Sequence, residues 1–306
     1  MATNGGQLMS FDWLTWSNPI SIWWAFLLSV SIVNVTLWLS LNRRLGTRDR
    51  RTGTLRTELL VLLSAAYVFG CAFRAVLPRA DVERICLFDT WLSSVIVGRS
   101  VATVAELCFA IQWAIVLHCL ARAAQSGTAR TIANSIVPMI LLAEGFSWYA
   151  VITTNYLGNA IENSLWTMTF LGVAAGLVVL MNRFGGALQL ALGSSVAGII
   201  GYAAFMFAVD LPMYFGRWQA DLASGKELFG FLVGLHDVSS RWVVTHDIAR
   251  WKDEIAWKSL YFSVAVWTSL ALCGFVLIRS RLPRYRKMPG NWSLASQRLF
   301  ARAGAA

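Results

Sequence analysis

Seven long apolar stretches alternate with polar loops along the chain: Ile20–Leu41, Glu58–Leu77, Thr90–Ala121, Ile132–Thr153, Ser164–Met181, Leu188–Leu211 and Ser259–Ile278. Each approaches or exceeds the ~20 residues that an α-helix needs to cross a hydrocarbon layer about 30 Å thick. The pattern predicts an all-α fold, a polytopic membrane bundle of seven transmembrane helices. It divides into an interfacial N-terminal segment (1–18), the bundle (19–282) and a basic tail (283–306). Between the sixth and seventh spans, residues 216–258 are too polar to cross, yet they carry apolar runs around Phe231 and Trp251. Asp237 with Arg241, and Arg250 with Glu254, are spaced for i,i+4 pairs, so this stretch reads as two short amphipathic helices capping the outer mouth.

Composition agrees with a lipid environment. Hydrophobic residues make up 57% and charged residues 14%, against roughly one quarter charged in soluble domains. Many of the 15 tryptophans fall at span ends, among them Trp13, Trp16, Trp23, Trp24, Trp218, Trp251 and Trp257. Indole rings favour that headgroup level, half buried with the N–H wet.

The net charge of +10 matters less than its distribution. Sixteen of the 26 Lys and Arg residues lie in the first, third and fifth loops and the tail, and eight lie in the other loops. The positive-inside rule then puts the N-terminus outside and the C-terminus in the cytoplasm. A bacterial inner membrane is the default location. No folded basic reading module is visible, so membrane lipids and a lipophilic small molecule are the expected partners, with no nucleic acid. The five cysteines show no CxxC spacing, which argues against a zinc cage or redox pair, although Cys71 and Cys86 could meet near the outer face.

Ionisable groups inside spans are costly and tend to face the bundle interior. Here they are Arg74, Asp89, Arg99, Glu106, Glu144 and Asp210. Arg99, Thr103 and Glu106 share one face of the third helix, two turns separating the arginine from the glutamate. That distance favours partners on neighbouring helices, with Arg74 and Glu144 at similar depth. Asn155, Asn159, Glu162 and Asn163 fall in the outer loop between the fourth and fifth spans. Asp210 precedes Pro212, where the sixth helix is expected to end.

The doublets His236-Asp237 and His246-Asp247 carry the sharpest local chemistry. Imidazole beside carboxylate can bind a divalent metal or transfer protons, and the metal set would be His236, His246 and Glu162. No HExxH or HxxxH motif supports it. Retinal is not expected, because the seventh span holds no mid-depth lysine. Two readings of different class follow. The first is an intramembrane enzyme acting on a lipophilic substrate in a pocket open to the non-cytoplasmic side, using Glu106, Arg99, Glu144, Asp210, His236 and His246. The second is a non-catalytic carrier, sensor or assembly subunit in which the same charges are structural ion pairs.

Overall fold

A computed structural model describes residues 12–49 and 55–279 of the 306. The basic tail from 283 onward, and residues 1–11 of the N-terminal segment, lie outside the described residues. Among the described residues ten helices form: α1 (Pro19–Asp49), α2 (Leu55–Val76), α3 (Val95–Ala123), α4 (Gly127–Thr153), α5 (Tyr156–Met181), α6 (Gly186–Phe205), α7 (Leu211–Ala223), α8 (Phe231–Ser240), α9 (Ile248–Leu260) and α10 (Val266–Arg279). A π-turn at Met206–Asp210 fuses α6 to α7, and another at Tyr261–Ala265 fuses α9 to α10. Seven helical rods among the described residues are thus long and apolar enough to cross a membrane, the sixth being Gly186–Ala223 and the seventh Ile248–Phe275. The chain is an integral membrane protein of all-α class.

Several span boundaries differ from expectation, each for a local reason. The third helix begins at Val95 rather than Thr90, because Trp91–Ser93 forms a 3-10 turn capped by the Thr90 hydroxyl. The fifth begins at Tyr156, where the Asn155 side chain accepts from the Leu157 amide. Asn159, Glu162 and Asn163 are therefore helical, not in a loop. The sixth does not stop at Pro212. Proline lacks an N–H and its ring crowds the carbonyl four residues back; the π-turn just before it widens the helix there and lets the rod continue. The expected pair of cap helices reduces to one, α8, since α9 is the first half of the seventh rod.

α3 is central, packing on α2 and α4 along its length. Its mid-depth Gln112 is fully buried and takes a hydrogen bond from the Ser269 hydroxyl on α10 at 2.7 Å. On α1, the buried Asn34 donates to the Phe262 carbonyl at 2.8 Å and accepts from the Trp267 indole at 2.9 Å. Phe262 lies in the second π-turn, where the regular ladder is interrupted and a carbonyl is free for an outside donor. Such side-chain amides hold helices together where lipid provides no hydrophobic drive. Outward faces carry exposed Ile32, Leu62, Val104, Leu142, Met168 and Ile200, as lipid contact requires.

One end of the bundle is closed by a small sheet with no clear sequence signal. Strands β1 (Arg79–Ala80) and β2 (Ile85–Cys86) pair antiparallel, and β3 (Val243–Val244) joins β2 in parallel. Arg84 forms the left-handed turn between the first two, with φ 58°. Its guanidinium donates to the Asp81 carbonyl (2.5 Å), the Val151 carbonyl (2.6 Å) and the Asp237 carboxylate (2.8 Å). This arginine thus ties the hairpin to α4 and α8. α8 sits close because Gly234 faces the Ile152 carbonyl, leaving no room for a β-carbon. Asp237 also pairs with Arg241 at 2.5 Å, as the i,i+4 spacing predicts, whereas Glu254 pairs with Lys258 rather than Arg250. Cys71 and Cys86 are buried free thiols and form no disulfide.

Candidate functional site

The polar face of α3 becomes the centre of a buried ionic cluster. Arg99, Thr103 and Glu106 project from it toward α4, α5 and the seventh rod. Arg99 Nη2 donates to Glu106 Oε2 at 2.8 Å and to Glu144 Oε2 on α4 at 2.8 Å, with Glu162 Oε1 on α5 at 3.4 Å. The two-turn gap to Glu106, about 10 Å of helix rise, is closed because the long arginine and the glutamate lean toward each other. All four side chains are at least nine-tenths buried.

Neighbours hold each carboxylate in place. The Thr103 hydroxyl donates to Glu144 Oε2 at 2.6 Å and itself accepts from the Trp148 indole at 3.1 Å. Tyr261, in the π-turn of the seventh rod, donates to Glu106 Oε1 at 2.9 Å, and Arg74 on α2 reaches the same oxygen at 3.6 Å. Asn159 donates to Glu162 Oε2 at 3.3 Å, which leaves its carbonyl oxygen without a partner. Glu144 Oε1 and Arg99 Nε are also buried and unpaired. Unsatisfied groups of this kind cost free energy in a low-dielectric interior and need an explanation.

Beside the cluster lies a cavity of about 720 Å³, within the range of small-molecule sites. Its polar end is lined by Arg74, Arg99, Glu106, Asn159, Glu162 and Asn163, with Asp81, Glu83, Glu254 and Lys258 toward the sheet. Its middle is aromatic: Phe109, Trp113, Trp166, Phe170, Tyr202 and Trp257. Its far wall consists of Ser194, Gly198 and Gly201 on α6 opposite Val264, Trp267 and Ala271 on the seventh rod. Among these, Ser194, Gly198, Gly201, Val264, Trp267 and Ala271 are also exposed on the bundle surface. The two rods stand apart there, α6 packing on α5 instead. The cavity therefore opens sideways through the apolar flank of the bundle.

The fold brings some of the expected residues together and separates others. Glu106, Arg99 and Glu144 do meet, and Glu162 joins them. Asp210 is buried in the first π-turn and accepts from Asn163, one residue removed from the cavity wall. The set of His236, His246 and Glu162 is not assembled. His236 is exposed on α8 beside Ser240, while His246 stacks on Trp13 (4.3 Å between centroids) and lies 2.9 Å from the Leu87 carbonyl. Asp237, read as its neighbour's partner, is instead claimed by Arg84 and Arg241. Carboxylate oxygens of Glu106, Glu144 and Glu162 do lie within 4.8 Å of one another, a spacing that suits a hard cation. Arg99 Nη2 reaches all three, so the protein's own guanidinium supplies the positive charge there. Tyr261 and Lys258 also belong to the site: Glu254, Lys258 and Tyr261 are spaced four and three apart on one helical face, but the hydropathy pattern divides them between the cap (216–258) and the seventh span (Ser259–Ile278).

Comparison with known protein families, with curated proteins and with solved structures found no match.

Proposed function

We propose that this integral membrane protein is an enzyme that draws an amphiphilic substrate from the lipid layer and reacts its polar head on the Arg99 cluster. One observation carries the reading: a single cavity runs from buried carboxylates to a gap in the lipid-facing wall. A purely structural ion cluster needs no such space beside it. Glu106 and Glu162, both on the wall, are the candidate general acid and base. Arg99 stabilises negative charge developing on the substrate, and Glu144, which does not line the cavity, positions Arg99. Proton transfer between two carboxyl groups suits hydrolysis or cyclisation. The arginine-poor loops lie at the polar end, which supports a site toward the non-cytoplasmic side.

Lipid extracts from cells with and without the protein test the proposal, alongside Glu106→Gln and Glu162→Gln variants. A lipid species that depends on the protein and vanishes in variants of normal folded yield supports catalysis. Unchanged extracts, with saturable lipid binding by the purified protein, would leave the carrier reading in its place.

A further inference from the structure

The cavity's polar end is acidic, and its hydrogen-bonding groups are unevenly used. Three carboxylates (Glu106, Glu144, Glu162) meet two guanidiniums (Arg74, Arg99), and each guanidinium already faces a carboxylate. Other carboxylates nearby have a cation beside them: Asp81 has Arg79, Glu83 shares Arg217 with Asp253, and Glu254 has Lys258. One carboxylate of the cluster is left without a cation of its own, and the buried Asp210, which accepts from Asn163, adds to the negative side. Asn159 supplies an unpaired acceptor at this end, its carbonyl oxygen, while the unpaired donors are Arg99 Nε beside it and Trp113 Nε1 in the aromatic middle of the cavity. Asn159 is 8% exposed, lines the cavity, and has its amide nitrogen fixed on Glu162, so its oxygen is the end left for a ligand.

Resting on the amphiphile reading above, we infer that the head group is a protonated amine: a lipophilic ammonium whose charge balances the surplus carboxylate and whose N–H groups meet Asn159 and Glu162. Aromatic faces next to the polar end strengthen the match. Phe205 and Trp257 are stacked with centroids 6.2 Å apart, and Tyr202 lies 6.3 Å from Trp257. Ring faces attract a cation, and attract it more when water is excluded. An anionic head would meet Glu106 and Glu162, with Arg74 and Arg99 each already set against a carboxylate. A neutral alcohol would satisfy Asn159 but leave the charge unbalanced.

The test measures saturable binding of radiolabelled hexadecylamine to the purified full-length protein in nanodiscs, with unlabelled hexadecylamine, hexadecanol and hexadecyl phosphate as competitors. The amine is expected to compete about tenfold or more better than the alcohol, a difference of one ionic contact, with the phosphate weakest. Glu162→Gln should weaken the amine and leave hexadecanol unaffected, whereas Asn159→Leu removes the acceptor that both heads use and should weaken both; the second variant carries the test if the first folds poorly. Equal competition by the alcohol or phosphate would overturn the ammonium assignment while leaving the amphiphile cavity intact. Absence of saturable binding by all three would remove both.

Discussion

The guanidinium of Arg79 occupies the space where a β-carbon on Gly98 would stand. Arg79 is 4% exposed, donating to the Ser94 carbonyl and to Asp81, each at 2.7 Å. An arginine of β1 is thereby locked against the first turn of α3, directly before Arg99. The glycine is a packing requirement of the site's floor.

Gly98→Ala should consequently destabilise the protein. Alanine would gain about 1 kcal/mol of helix propensity. Displacing a buried, hydrogen-bonded guanidinium costs more, on the order of 2–3 kcal/mol. Thermal melts in detergent should show the loss. In an Arg79→Ala background the obstruction is gone, and the same substitution should become neutral or stabilising. Equal losses in both backgrounds would contradict the contact.

Arg99→Gln leaves Glu106, Glu144 and Glu162 facing one another around a neutral side chain. Breaking a buried ionic group by removing one partner costs roughly 3–5 kcal/mol. Folded yield should fall sharply. Adding Glu144→Gln should recover part of it by removing one of the stranded charges. Size-exclusion profiles of the single and double variants provide the comparison.

Bulk at the side opening should slow ligand entry without harming the fold. An added β-carbon at Gly198 meets nothing within 4 Å. Gly198→Phe should therefore fold normally and reduce the association rate of hexadecylamine, read by stopped-flow quenching of tryptophan fluorescence. Gly145→Phe, on the exposed face of α4 with equally open space, is the control and should leave the rate unaltered.

Asp81 gives the closed end of the bundle a pH dependence. Burial pushes its carboxyl up, but the Arg79, Arg74 and Arg99 guanidiniums together hold it below the usual carboxylate range. A carboxyl whose folded pKa is depressed contributes stability that is present above its unfolded value, about 3.9, and lost as pH falls through the folded value. Melting temperatures should show an acid-side decline below about pH 4 that is smaller in Asp81→Asn. Glu83 acts with the opposite sign: burial raises its carboxyl despite Arg217, so Glu83→Gln should relieve a cost at neutral pH.

The seven spans were legible because hydrophobic length is a property of each block by itself: twenty apolar residues require lipid or a core whatever their neighbours do. Periodicity likewise put Arg99, Thr103 and Glu106 on one face of α3. Which helices supply the remaining members was decided by packing. Glu162 looked like a loop residue until the Asn155 cap began α5 early, and Tyr261 reaches Glu106 only because the seventh rod starts at Ile248 and passes through a π-turn. The histidine doublets show the converse. His236-Asp237 is a chemically suggestive dipeptide, yet tertiary contacts commit its aspartate to Arg84, 153 residues away. Local pattern fixes which side chains must hide from lipid, and only the three-dimensional fit of the helices fixes which of them meet.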